Sequence, residues 1–209
     1  MTISINYSSF VGSDSISDVL SEWALGFKTA GHGLSNTGGF NTGPREQNGE
    51  QYATHGANDS DYAFIAGSDT SNGLHYVYNP QVPAGDNMNH YLWGELDSVS
   101  LGEVLTGGAG SAFGLNDYTV SFNGLDLSAA SDAGRAGNAV QDVIYGLMKG
   151  DVSGLEGVLN NLLSGFGLST DSTFDQLAAA GLAHADAPLA ADISLIGVLD
   201  VAQDWALAA

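Results

Sequence analysis

The chain has 209 residues, enough for one compact domain with a sizeable core. Only 4 residues are basic against 24 that are acidic, so phosphate backbones and anionic headgroups are repelled; we expect neither nucleic-acid binding nor membrane insertion. The absence of cysteine excludes disulfides, thiolate metal sites and thiol nucleophiles.

The N-terminal third is predicted to contain one helix and one long loop. Apolar residues from Ile16 to Phe27 recur at helical spacing, and Ser15 precedes them as a candidate N-cap. Residues 28–50 are rich in glycine, asparagine and threonine, which is typical of a loop. Loops longer than about 12–15 residues in compact domains are usually functional or disordered. The first residues of the chain lack the basic and apolar regions of a Sec-type signal peptide.

Residues 51–122 change to short β-rich runs separated by turn-forming residues. Such neighbouring runs favour an antiparallel sheet, and residues 79–89 form a second long connection within it. The predicted strands are Gln51–Thr54, Tyr62–Ala66, Leu74–Tyr78, Tyr91–Leu96, Val99–Leu101 and Tyr118–Phe122.

Helical spacing returns in the last third of the chain. Strands followed by helices predict an α+β domain whose helices cover one face of the antiparallel sheet. We assign residues 1–184 to this domain and the alanine-rich, acidic residues 185–209 to a C-terminal tail. The predicted helices run over Ala139–Met148, from the capping-box pair Ser153 and Glu156 to Leu163, and over Ser172–Leu182.

The residue types that could carry chemistry do not identify a site by spacing alone. The five histidines, at positions 32, 55, 75, 90 and 184, lack the helical spacing of a zinc site, and no nucleophile or nucleotide-binding motif is present. His32 lies in the first long loop, Tyr76 opens the second and His90 closes it. A loop histidine is more often solvated than a ligand, and a strand tyrosine usually belongs to the core.

A family resemblance adds to this reading, in segments that run in the family's order across essentially the whole chain. In these segments the sequence resembles the secreted haemophores of HasA type. They are Ser35–Phe40, Gln51–Ala53, Ala63–Gly67, Leu74–Tyr76, Leu92–Ser98, Tyr145–Met148, Ser172–Ala178 and Leu207–Ala209.

The resemblance implies a curved antiparallel sheet backed by helices, with ferric haem b (iron protoporphyrin IX) held between two loops at one edge. It implies that His32 and Tyr76 ligate the iron on opposite faces and that His90 hydrogen-bonds the Tyr76 oxygen. The adjacent His75 is a rival ligand, but strand alternation points it to the other face. An anionic oxygen donor favours ferric iron, and two axial ligands leave no open position for peroxide, so an enzyme is not expected.

The resemblance also suggests the walls of the haem pocket. Tyr145 and Met148 match family pocket positions, Phe40 and Tyr78 could contact haem from the two loops, and Gln141 lies where relatives can carry histidine. Ordinary core packing is the alternative for these side chains. The four basic residues are Lys28, Arg45, Arg135 and Lys149; we expect the haem propionates to point to solvent near Lys28 or Arg45.

One departure from the family's pattern is the interval between Tyr76 and His90. Residues Pro80–Asn89 make this loop several residues longer than is usual in the family, which bears on its rigidity and on the His90 contact.

The function implied is that of a secreted, extracellular carrier. It would take haem from a source such as haemoglobin, deliver it to an outer-membrane haemophore receptor, and leave the cell through a type I ABC exporter that reads the C-terminal end. Two alternatives stay open: a secreted interaction or adhesion module without a cofactor, and a haem peroxidase.

Overall fold

The computed structural model describes residues 3–30, 36, 38–43, 45–70 and 73–186. His32 and most of the predicted tail lie outside these residues. The described residues form nine strands, four α-helices and a short 3-10 helix at Ser9–Val11. The strands are β1 (Ser4–Ser8), β2 (Gly39–Phe40), β3 (Asn48–Gly49), β4 (Gln51–His55), β5 (Tyr62–Gly67), β6 (Leu74–Val77), β7 (Tyr91–Thr106), β8 (Gly114–Ala129) and β9 (Ala183–Asp186); the helices are α1 (Ile16–Gly26), α2 (Ala139–Met148), α3 (Ser153–Ser164) and α4 (Phe174–Ala179).

The strands build one open sheet in the order β2-β4-β5-β7-β8-β1-β9. Every pairing among the described strands is antiparallel except that of β1 with β9. Strand β7 is shared by two neighbours on one side, because Tyr91–Gly94 pair with β6 and Ser98–Glu103 pair with β5. The β6 strand therefore pairs with the first part of β7 beyond the point where β5 ends its pairing with β7.

Helices and sheet enclose the core between them. Helix α1 buries Ile16, Val19, Leu20 and Trp23, and the indole N–H of Trp23 donates to the carbonyl of Ala63 in β5 at 3.1 Å. Helix α2 packs on β7 and β8, α3 packs on β8, and α4 packs on β9. The predicted α+β class, with a large antiparallel sheet and few helices, is confirmed.

Helix α1 begins where the sequence predicts. The Ser15 hydroxyl accepts the backbone N–H of Asp18 at 3.1 Å, and the Asp18 carboxylate accepts the backbone N–H of Ser15 at 3.3 Å, so a complete capping box starts the helix. The capping box predicted at Ser153 and Glu156 is wrong. Asp151 accepts both the backbone N–H and the hydroxyl of Ser153, which leaves Val152 at the N-cap without a side-chain cap.

Four strands of the sheet were not predicted, and two predicted strands are one. The unpredicted strands are β1, β9 and the two-residue strands β2 and β3. Strands β1 and β9 are the first and last of the described strands in sequence, and β9 continues to Asp186, just past residue 184. The segments Tyr91–Leu96 and Val99–Leu101 join into β7, with an irregularity of register between Leu96 and Ser98. Among the described helices, none has the length and apolarity needed to cross a membrane.

Candidate functional site

A cavity of about 440 Å³ opens between the β6–β7 end of the sheet, strands β2 and β4, and helix α2. It brings together most of the side chains predicted for the site. Its walls are formed by Asn36, Gly38, Gly39, Phe40, Glu46, Tyr52, Tyr76, Ala84, His90, Leu92, Arg135, Gln141, Tyr145 and Met148.

The alternation of side chains along β6 decides which of the adjacent residues His75 and Tyr76 reaches the cavity. Tyr76 lies opposite Leu92, and both line the cavity. Its backbone N–H donates to the carbonyl of Gln47 at 2.8 Å, which fixes the strand at this point. His75 lies opposite Trp93 and stacks on its ring, with centroids 4.1 Å apart and planes 10° apart. The expectation that His75 faces away from Tyr76 is confirmed.

The Tyr76 hydroxyl and the His90 imidazole form the polar centre of the cavity. Tyr76 Oη lies 2.6 Å from His90 Nδ1, despite the long connection between the two residues. Burial, and secondarily the charge of Tyr78, raises the pKa of the Tyr76 phenol above its ordinary value. A phenol with a raised pKa is neutral at pH 7, so the Tyr76 hydroxyl can donate to His90 Nδ1 or accept from it, depending on which ring nitrogen of His90 carries the proton.

A second tyrosine, Tyr52 of β4, lies behind this pair. Its hydroxyl donates to Met148 Sδ at 3.4 Å, and its ring meets Phe40 edge-on at 5.1 Å. Burial raises the pKa of Tyr52 to about 12, although the neighbouring Thr54 hydroxyl and Gly38 backbone oppose that rise. Tyr52 belongs to the segment Gln51–Ala53 that carries the resemblance, yet the sequence alone did not identify it as a wall of the cavity.

Helix α2 forms the opposite wall. Tyr145 is 41% exposed at the cavity edge, with Lys149 Nζ 4.9 Å from its ring centroid, and Met148 lies one turn further along the helix. Gln141 is buried, and its Oε1 accepts the backbone N–H of Leu92 at 2.7 Å. Gln141 thus lines the cavity while its oxygen already accepts one hydrogen bond from the protein.

The long connection between Tyr76 and His90 is a defined structure. Asn87 Oδ1 accepts the backbone N–H groups of Arg135 at 3.1 Å and Ala136 at 2.8 Å, and Arg135 Nη2 donates to the carbonyl of Asp86 at 2.6 Å. These bonds dock the connection onto the segment that leads into α2. The connection, with its extra residues, still ends with His90 beside Tyr76.

Arg135 is the cation at the cavity. Among the described residues of its lining there is Arg135 but neither Lys28 nor Arg45; the propionate position near Lys28 or Arg45 stays a prediction. The sequence could not indicate Arg135, because its position depends on the docking of residues far along the chain. Glu46 is the acidic residue that the structure places in the same lining.

Of the predicted site residues that the structure describes, Tyr78 is the one absent from the cavity lining. Tyr78 is 49% exposed and lies against the outer side of the His90 ring, with centroids 4.9 Å apart. His32 lies outside the described residues, but the point where its loop returns is defined. Asn36 is buried there; its Nδ2 donates to the carbonyls of Lys28 at 2.7 Å and His55 at 3.2 Å, and its backbone N–H donates to the carbonyl of Met148 at 2.9 Å.

The chain is similar to known proteins in sequence and in fold. The hemophore HasA of Serratia marcescens is 41% identical over 196 residues, which cover 90% of this chain and 97% of that protein. Two solved structures of the hemophore HasA from Yersinia pestis share the fold. The apo structure gives a TM-score of 0.71 at 25% identity and the holo structure 0.70 at 26%, each covering 90% of this chain and 100% of the other.

The family assignment extends over the whole sequence. Residues 1–209 match the profile of the family described as heme-binding protein A (HasA). These relatives are carriers rather than enzymes, which confirms the expectation of a non-enzymatic protein. The chain therefore belongs to the HasA family of haem-binding proteins.

Proposed function

We propose that this protein is an extracellular haemophore that captures ferric haem b in the cavity and hands it over unchanged. The observation that carries the proposal is the phenol–imidazole pair, Tyr76 Oη and His90 Nδ1 at 2.6 Å, in the wall of a cavity of about 440 Å³. The holo relative from Yersinia pestis supports a haem-binding role for this fold.

The donor chemistry of the cavity fits haem iron. A phenol binds iron as the phenolate, and burial opposes loss of its proton, as the raised pKa of Tyr76 indicates. Iron(III) lowers that proton affinity, and His90 Nδ1 is placed to accept the hydrogen bond or the proton. Tyr76 is the proposed ligand on one haem face, and His32 of the first loop is the proposed ligand on the other.

The remaining walls fit the macrocycle. Phe40, Leu92 and Met148 present apolar surface to the cavity. The propionates are anionic, and Arg135 is the cation in the described lining that could attract them. Among the described residues, one guanidinium N–H of Arg135 donates to the carbonyl of Asp86, and the other four are available to such a ligand or to water.

The physiological setting is part of the same proposal. The protein is secreted through a type I ABC exporter, takes haem from a source such as haemoglobin, and gives it to an outer-membrane haemophore receptor. The large negative charge suits a soluble carrier, since 24 acidic residues against 4 basic ones oppose self-association.

A titration with ferric haemin, followed by visible absorption, tests the proposal. We expect saturation at one equivalent in the unsubstituted protein. The Tyr76→Phe variant should give a changed ferric spectrum and weaker binding, because it removes the oxygen donor. His75→Ala is the matched control: it alters the adjacent residue on the opposite face and should leave the spectrum unchanged.

Two other results would change the conclusion. A protein that stays colourless after haemin and desalting would point to the interaction-module alternative. Binding with the same spectrum in Tyr76→Phe would keep haem binding but remove Tyr76 as the ligand.

The two proposed ligands should not contribute equally. A bond from neutral imidazole to iron(III) is expected to be weaker than a phenolate bond, so His32→Ala should retain substantial haem affinity whereas Tyr76→Ala loses more. Haem affinities of the two variants, measured by competition with a second haem-binding protein, check this order. Equal losses would contradict the idea that His32 is the more easily released ligand.

A further inference from the structure

The connection between β6 and β7 is organised around one buried carboxamide. Asn89 is 1% exposed, although residues 83–88 on the same connection are exposed. A buried polar side chain must satisfy its hydrogen-bonding groups within the protein. Asn89 does this completely, and its partners are parts of the connection itself.

The carboxamide of Asn89 uses both of its ends. Its Oδ1 accepts the backbone N–H of Asn79 at 2.8 Å and that of His90 at 3.1 Å. Its Nδ2 donates to the carbonyls of Asn79 at 3.0 Å and Val82 at 2.9 Å. A carboxamide can make two donor and two acceptor bonds, so the full capacity of Asn89 ties the start of the connection to its end.

The bond to His90 acts at an unusual point of the backbone. His90 has a φ of 55°, in the left-handed region that residues other than glycine seldom adopt. Such a conformation persists when surrounding contacts hold it. The Asn89 oxygen holds the N–H of this residue, and the resulting orientation brings His90 Nδ1 to 2.6 Å from the Tyr76 hydroxyl.

We propose that Asn89 is the positioning residue of the His90 imidazole and, through it, of the Tyr76 haem ligand. The inference rests on the proposed function, because it concerns how the same site retains haem. Asn89 itself does not line the described cavity. Its action is therefore to keep the hydrogen-bond partner of Tyr76 in place before and after haem arrives.

The same connection supplies a matched control. Asn87 also makes side-chain bonds that fasten the connection, but they run outward to Arg135 and Ala136. Within the described residues, no bond of the Asn87 side chain goes to His90 or Asn79. Asn87→Ala therefore loosens the connection without removing the contact that orients His90.

The experiment compares Asn89→Ala, His90→Ala, the double variant and Asn87→Ala. Transfer of bound haemin to an excess of apomyoglobin gives the dissociation rate, and the visible phenolate-to-iron(III) absorption reports the Tyr76 bond. We expect Asn89→Ala to speed haem loss about tenfold, because the hydrogen bond between His90 and Tyr76 is lost. The double variant should match His90→Ala alone, since Asn89 acts through His90. Asn87→Ala should stay within about twofold of the parent.

A measurement on the haem-free protein separates positioning from haem affinity. Nitrogen NMR of the His90 ring should show a hydrogen-bonded Nδ1 in the parent and in Asn87→Ala, and an averaged ring in Asn89→Ala. If Asn89→Ala does not fold, Asn89→Ser replaces it in the comparison, because serine keeps a small polar group at this position. The double variant of Asn89→Ser and His90→Ala should then lose haem at the rate of His90→Ala alone.

Specific results would overturn the inference. The first is a folded Asn89 variant that has the His90 signal and the haem-loss rate of the parent. The second is a double variant whose haem-loss rate shows the effects of Asn89→Ala and His90→Ala multiplied together. A parent protein that does not bind haemin would instead overturn the proposed function, so the two failures are distinguishable.

Discussion

At Leu74–Val77 a shift of one residue decides which side chain could meet a ligand. His75 and Tyr76 are adjacent, yet one stacks on Trp93 and the other lines the cavity with Leu92. The two-residue period of a strand makes this difference predictable from sequence. The partner of Tyr76 is not predictable in the same way, because the position of His90 depends on the bonds of Asn89 within a connection of unusual length.

Two adjacent glycines of the cavity wall differ sharply in the space around them. A β-carbon added at Gly38 would overlap the hydroxyls of Tyr52 and Thr54, whereas nothing lies within 4 Å of one added at Gly39. We expect Gly38→Ala to displace Tyr52, to lower the free energy of unfolding by about 1–3 kcal/mol, and to weaken haemin binding. Urea unfolding and the haemin titration measure both effects.

Gly39→Ala is the control for that comparison. With open space around the new methyl group, its free energy of unfolding should stay within about 0.5 kcal/mol of the parent. If the two alanine variants were equally stable and bound haemin equally, Tyr52 would not need the close approach that Gly38 allows.

On the scale of elements, helix α2 is joined to the sheet through polar bonds at its beginning. Asn138, the N-cap, donates from Nδ2 to the carbonyl of Leu92 at 2.8 Å, and Gln141 Oε1 accepts the N–H of the same residue. The pairing of β8 with β7 starts only at Gly94, so these two side chains replace a strand neighbour at Leu92. The helix wall of the cavity and its strand wall are thus fixed to each other at Leu92.

Gln141→Ala should expose the importance of that connection. The variant leaves the buried N–H of Leu92 without its partner, which we expect to cost about 1–3 kcal/mol of unfolding free energy. Thermal and urea unfolding measure the loss. Asp142→Asn, a change at the next and exposed position of α2, should be nearly neutral; a Gln141→Ala variant as stable as this control would contradict the assigned role.

The elements that the sequence predicted well are those with strong local signals. Helix α1 has both an apolar face and a cap, and α2 has an apolar face that ends at Met148. Strand β1 is only five residues long, and β7 is interrupted by the irregular pairing near Asp97, which reads as a turn in the sequence. Arg135 and Tyr52 joined the site through tertiary contacts, for which the sequence carries no local signal.

On the scale of the whole molecule, charge opposes the proposed ligand. The protein has a formal net charge of -20, and haem carries two anionic propionates. Long-range repulsion slows the approach of such a ligand and is screened by salt, with a Debye length of about 30 Å at 0.01 M and 8 Å at 0.15 M ionic strength.

We therefore expect the association rate of monomeric haemin to rise a few-fold (roughly 2–5) between these two salt concentrations. Stopped-flow absorption measures it. The Arg135→Ala variant should show a lower rate at both salt concentrations, because the cation at the cavity is removed. A rate that falls as salt is added would mean that local attraction by Arg135 outweighs the overall repulsion.

The position of β1 has a consequence in time. This strand, at residues 4–8, pairs on one side with residues 120–123 and on the other with residues 183–186. Of the described strands, β1 is synthesised first, and it receives its second neighbour only when residues 183–186 have been made. Contacts between such distant parts of a chain form slowly. Until then, residues 4–8 remain without the neighbour that β9 provides on one side of β1.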